Sequence, residues 1–130
     1  MNAINLERAL TKFWADTLGL TVDTNIFRGG IPSTQTEGAA VVLGAEFTSN
    51  NPAVKRYNVQ ILGKYVSRDA ALQMLEDISA ALPCYNKVVT LTEGNVTIRG
   101  MLMLESDGIR AQTDNGQEKN FFTFNLIACF

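Results

Sequence analysis

Residues 56–83, RYNVQILGKYVSRDAALQMLEDISAALP, change from strand-like alternation to a helix-like stripe across a two-residue link. Tyr57, Val59, Ile61 and Tyr65 fall on one face of the alternating half, and Asn58, Gln60 and Lys64 on the other. One face is expected to be buried and the other wet or paired later. Ser67 has the short oxygen-bearing side chain that caps a helix, and Asp69 complements the positive end that follows. Ala71, Leu75, Ile78 and Leu82 then recur at helical spacing until Pro83 ends the pattern. Sixteen residues of helix make a rod of roughly 24 Å, enough to cross a small sheet. So short a link implies that the helix packs back on the sheet to which its own strand belongs.

Upstream of this unit, Leu6, Leu10, Phe13, Trp14 and Leu18 make one face of an amphipathic helix. Asn2 or Asn5 suits its start, Glu7 its first turns, and Gly19 a left-handed stop. Trp14 is in register with the leucine stripe and reads as core. Residues 24–28 (TNIFR) read as a short strand running into GGIPSTQTEG, a mobile loop by composition. GAAVVLGAEF (38–47) and KRYNVQILGKYV (55–66) read as strands joined by TSNNPA.

The last third reads as strands throughout: VVTLT, VTIRGMLMLES, IRAQTD and KNFFTFNLIACF. Between them stand Glu93-Gly94-Asn95, Asp107-Gly108 and Asn115-Gly116, all turn chemistry. The closing strand is apolar on both faces and is therefore expected to be central or covered on both sides. The order predicts one α+β domain over residues 1–130. Its antiparallel-dominated mixed sheet would carry two main helices, near 5–18 and 67–82, on one face.

At 130 residues the chain has the size of one ordinary domain, and no apolar run approaches the roughly 20 residues that span a bilayer. The opening MNAINLERAL reads as mature sequence kept in a cytoplasm. Eleven basic against thirteen acidic residues give a net charge of −2 without a basic run, which argues against tight binding to a phosphate backbone.

Histidine is absent, which removes a Ser-His-Asp triad or a Cys-His dyad and handicaps zinc chemistry. Cys84 and Cys129 sit in apolar contexts outside any CxxC pair and read as buried free thiols. Glu76 and Asp77 are helix neighbours about 100° apart, a solvated face rather than an acid/base pair. Asp107, Asp114 and Asn115 read as turn formers, because no calcium-loop spacing surrounds them. No catalytic constellation, cofactor motif or metal site emerges, so the expectation is a non-enzyme.

The N-terminal helix, NIFRGGIP leading into a loop, the strand-to-helix unit, and the closing GIRAQTDNGQEKNFFTFNLIA form an ordered set. This set resembles the minor capsid or tail terminator proteins of long-tailed bacteriophages and their prophages, over most of the chain. The family's usual closing strand begins with a basic residue and a tyrosine, whereas this one has Lys119 and Phe121. The resemblance implies a virion protein that forms a ring, commonly a hexamer, at the head-proximal end of the tail. Such a ring stops polymerisation of the tail tube protein and offers a docking surface to the head-tail connector proteins. DNA passes through it unbound, and six copies at −2 each, about −12, would discourage sticking.

Ring contacts would come from loops and sheet edges, with Arg28, Glu37, Lys55 and Arg56 as candidate subunit-interface residues beside the polar segments 29–38 and 48–55. Two other readings stay open: a head-completion or connector protein of the same junction, and a small ligand-binding or enzymatic α+β domain.

Overall fold

Helix α1 (Ala3–Leu18) buries Leu6, Leu10 and Trp14 as the stripe predicts, with Ala9, Thr11 and Ala15 beside them and Phe13 and Leu18 half-buried. The buried Thr11 hydroxyl donates to the Glu7 carbonyl one turn back (2.7 Å), which satisfies a polar group inside an apolar stripe. Gly19 stops the helix at φ 69°, and the Leu20 N–H closes back on the Ala15 carbonyl at 2.8 Å. Asn5 lies inside the helix rather than at its cap, and Asn2 lies outside the described residues. The structure, a computed structural model, describes residues 3–47, 55–81, 86–93, 96–114 and 117–129.

Among the described residues six strands form one sheet: β1 (Ile26–Arg28), β2 (Gly38–Phe47), β3 (Arg56–Tyr65), β4 (Asn86–Glu93), β5 (Val96–Asp114) and β6 (Gln117–Cys129). Their order is β1-β2-β3-β6-β5-β4, antiparallel throughout except for the parallel β1–β2 pair. The class is α+β, as the sequence predicts. The closing strand is central, flanked by β3 and β5.

Helix α2 (Arg68–Ala80) starts where expected: Ser67 Oγ accepts from the Ala70 N–H at 3.3 Å, with Asp69 in the first turn. It packs against β3, β5 and β6, and so returns to the sheet of its own strand. Its buried residues are Ala71, Leu75 and Ile78; Leu82 and Pro83 lie outside the described residues. These join Leu6, Leu10, Trp14, Val41, Val59, Ile61, Phe122 and Leu126 in one buried cluster. Register places those strand residues side by side, with Val41 beside Ile61, and Val59 beside Leu126.

One expectation is corrected. Asp107-Gly108 does not turn the chain: β5 runs through it as a single 19-residue strand, with Asp107 opposite Phe124 and Gly108 opposite Thr123. An Asp-Gly pair permits a tight turn without compelling one, and β6 supplies a continuous ladder for the backbone groups of β5. The irregularity falls instead between Leu104 and Ser106. Gly94-Asn95 and Asn115-Gly116 lie outside the described residues, and the strands around them pair Glu93 with Val96 and Asp114 with Gln117.

Lys64 lies on the face expected to be wet or paired later. It is only 5% exposed, and Lys119, on the same face by register, is 3% exposed. Parity assigns the face correctly, but this end of it is covered, and each lysine engages a neighbouring group. Near Asn58 and Gln60 the same face is open.

Glu7 stands in the second turn of α1, and its carboxylate accepts from the Leu43 N–H of β2.

Helix α1 meets β1 and β2 at one margin of the sheet and β4 at the other. In a flat sheet β2 and β4 would lie about 19 Å apart, at ~4.8 Å per strand. Ala9 lines a cleft with Thr90 and Thr92 of β4, while Glu7, two residues earlier on the other side of the helix, reaches β2 with its side chain.

Candidate functional site

The polar rim of the β1–β2 margin is built from α1 and the segment that follows β1. Arg28, at the last position of β1, is exposed, and its Nε lies 3.7 Å from Glu7 Oε1. The other oxygen, Glu7 Oε2, accepts from the Leu43 N–H at 3.0 Å. The strand ladder of β1 ends just before this point, with Gly29 N–H donating to the Val41 carbonyl at 2.8 Å. Arg28 is therefore already engaged within its own chain.

Segment 29–37 carries its own hydrogen bonds, although its composition suggests a bare mobile tether. The Gln35 N–H donates to the Pro32 carbonyl at 2.9 Å, and Gln35 Nε2 donates to the carbonyls of Thr24 (3.1 Å) and Glu37 (3.0 Å). One amide side chain thus ties the segment's end to the turn before β1. Glu37 is exposed, and its charge acts on Tyr65. The Tyr65 hydroxyl is pushed up to about 12, first because burial penalises the phenolate and second because Glu37 is near.

Lys55 is exposed and Arg56 half-buried at the opposite end of β3, where Arg56 stands in register with Phe47 and Cys129. Gly38, next to Glu37, pairs with Lys64. Ten residues of extended strand separate the two ends by about 30 Å. The four candidate interface residues therefore do not form one patch: Glu37 marks one end of the sheet, Lys55 and Arg56 the other, and Arg28 lies along the margin. Segment 48–54 lies outside the described residues.

No family model matches the chain, and no curated protein is similar to it.

Two clefts open on the described surface. One, about 450 Å³, runs between α1 and the edge strand β4, lined by Lys12, Phe13, Asp16, Thr17, Thr90 and Thr92 among others. The other, about 300 Å³, lies over Gly44 on the open sheet face, where Gln60 Nε2 donates to Asn125 Oδ1 at 3.1 Å beside Asn58. Among the described residues no group of three or more acidic or thiol side chains is placed to hold a metal ion, and no helix is long and apolar enough to cross a membrane.

Glu7 and Gln35 are the residues that sequence reasoning missed. Helical spacing alone does not show that Glu7 leaves its helix for a strand edge, and a glutamine in a polar loop carries no local signal.

Proposed function

We propose that the chain is a structural assembly subunit of the phage tail terminator type. Copies join head to tail into a ring, commonly six, that caps the tail tube and receives the head connector. The observation that supports this reading best is the reach of β5. Residues 96–100 pair with β4 beyond the end of β6, where Met101 stands opposite Cys129. At the far end, residues 112–114 and 117–119 pair with each other beyond the end of β3, where Tyr65 stands opposite Asn120. Two hairpin ends extend past the shared sheet in opposite directions. A closed ring of identical subunits needs two different contact surfaces on each copy, which such extensions supply. The polar residues Arg28, Glu37, Lys55 and Arg56, spread over both ends and one margin of the sheet, suit salt-sensitive contacts of that kind.

The test combines light scattering over a wide concentration range with electron microscopy of the protein added to growing tail tubes. A ring seated at the tube end, with elongation stopped there, is the expected result. Tubes that elongate unchanged and bear no ring overturn the proposal, and a ring found only at the head portal shifts it to the connector role. Replacing residues 31–37 with a Gly-Ser link should leave the melting transition nearly unchanged while abolishing capping.

A further inference from the structure

We propose that Glu7 is a plug for an unfinished strand edge, and that withdrawing it opens β2 to strand addition by a second copy of this chain. An edge strand presents backbone donors and acceptors that any other strand can take up, and folded proteins block such edges with charges, bulges or covering elements. β2 spans Gly38–Phe47, yet β1 covers only Ala39–Val41 of it. The outward groups of β2 are met in turn. Ala39 N–H donates to the Asn25 carbonyl at 3.0 Å, and Val41, in register with Arg28, lies within the β1–β2 ladder, its carbonyl accepting from Gly29 N–H. The next outward donor, Leu43 N–H, lies past the residues that β1 covers, with no other strand beside it among the described residues. Glu7 Oε2 accepts from it at 3.0 Å, reaching over from α1, 36 residues earlier in the sequence.

The carboxylate does two things at that point. It satisfies a donor that an incoming strand would need, and it places a half-buried negative charge where that strand's carbonyl oxygens would lie. Arg28 Nε, 3.7 Å from the other oxygen, holds the carboxylate in place from the end of β1. Past Leu43 the register of β2 shifts before Glu46, a second device that blunts the edge.

The occupant expected when the plug is lost is the same edge of another copy. Two such edges related by a two-fold axis run antiparallel and exchange identical backbone groups. That arrangement sets the Arg28 end of one edge beside the Glu46 end of the other, two exposed side chains of opposite charge. Because the device belongs to the isolated chain, it stands or falls separately from the ring reading.

The test is Glu7→Leu, compared with Glu7→Gln and the wild type, by amide hydrogen exchange at low concentration and by light-scattering mass as concentration rises. In the wild type Leu43 N–H should be protected. In Glu7→Leu its exchange should accelerate by roughly tenfold or more, the equivalent of losing one charge-assisted hydrogen bond, while β2 amides bonded to β3 stay slow. The mass of Glu7→Leu should rise with concentration under conditions where the wild type stays monomeric. Glu7→Gln keeps an acceptor oxygen without the charge, so it should retain most of the Leu43 protection, and its mass should rise less with concentration than that of Glu7→Leu. Unchanged Leu43 exchange in Glu7→Leu overturns the plug, and lost protection without any rise in mass overturns the strand addition. If Glu7→Leu does not fold, the wild type decides: a Leu43 amide exchanging at the rate of a free amide overturns the proposal, and a protected one that Glu7→Gln preserves supports it.

Discussion

Gly63 and Phe122 stand opposite each other on β3 and β6, and the Phe122 ring fills the space that a side chain at 63 would occupy. A Cβ at 63 would lie 1.8 Å from Phe122 Cε1, and Tyr65 stacks on the same ring with centroids 6.1 Å apart and planes within 4°. A glycine inside a strand costs β propensity, and here that cost is offset by an aromatic pair packed over bare backbone. Gly63→Ala should destabilise the fold by about 1–3 kcal/mol through overpacking, read as a lower denaturation midpoint. Adding Phe122→Leu should recover part of that loss, since the two changes share one space. Additive losses would show that the ring does not depend on the glycine.

Tyr65 sets an alkaline limit. Its hydroxyl titrates at about 12 in the folded protein against about 10 when unfolded, first because it is buried and second because Glu37 opposes the phenolate. The folded value is the raised one, so the stability tied to the neutral phenol is fully present below pH 10 and is lost as pH rises towards 12. Denaturation midpoints measured across that window should fall less steeply in Tyr65→Phe than in the wild type. Identical slopes would remove Tyr65 from the account.

The apolar stripe of α2 should respond strongly to truncation. Ile78 is fully buried and Leu75 nearly so, both in the cluster with Val59 and Leu126. Leu75→Ala or Ile78→Ala should cost about 2–5 kcal/mol from lost transfer energy and the cavity left behind. Leu72, on the exposed side of the same helix, should tolerate Ala with little change in thermal midpoint.

Ser67 should contribute a smaller, local amount. Its hydroxyl accepts from the Ala70 N–H, so Ser67→Ala leaves one helix donor without that acceptor and should cost roughly 1 kcal/mol. Ser67→Asp keeps an acceptor and adds favourable charge at the helix start, so it should retain wild-type stability. Chemical denaturation of the three proteins separates these outcomes.

The sequence by itself determined what depends on neighbours in the chain. Period and capping chemistry placed both helices, the Ser67 cap and the Gly19 stop, because those signals act over a few residues. Alternation likewise bounded β2 at Gly38–Phe47 and sorted Tyr57, Val59 and Ile61 onto the buried face. The double-sided apolar pattern of the last strand indicated its central position, since only a covered strand can be apolar on both faces.

Tertiary structure alone decided what depends on partners far away in sequence. Asp107-Gly108 has the chemistry of a turn, but a continuous ladder with β6 keeps it in a strand. Alternation names the face on which Lys64 lies but not what covers that face, so its burial could not be read locally. Arg28, Glu37, Lys55 and Arg56 look like one polar set in the sequence, and the length of β3 puts two of them about 30 Å from a third. Glu7 reads as an ordinary helical acid until the bend of the chain brings the unfinished edge of β2 to its carboxylate. The physical reason is the same in each case: period and propensity are short-range, whereas burial, edge closure and charge pairing are set by which distant backbone comes alongside.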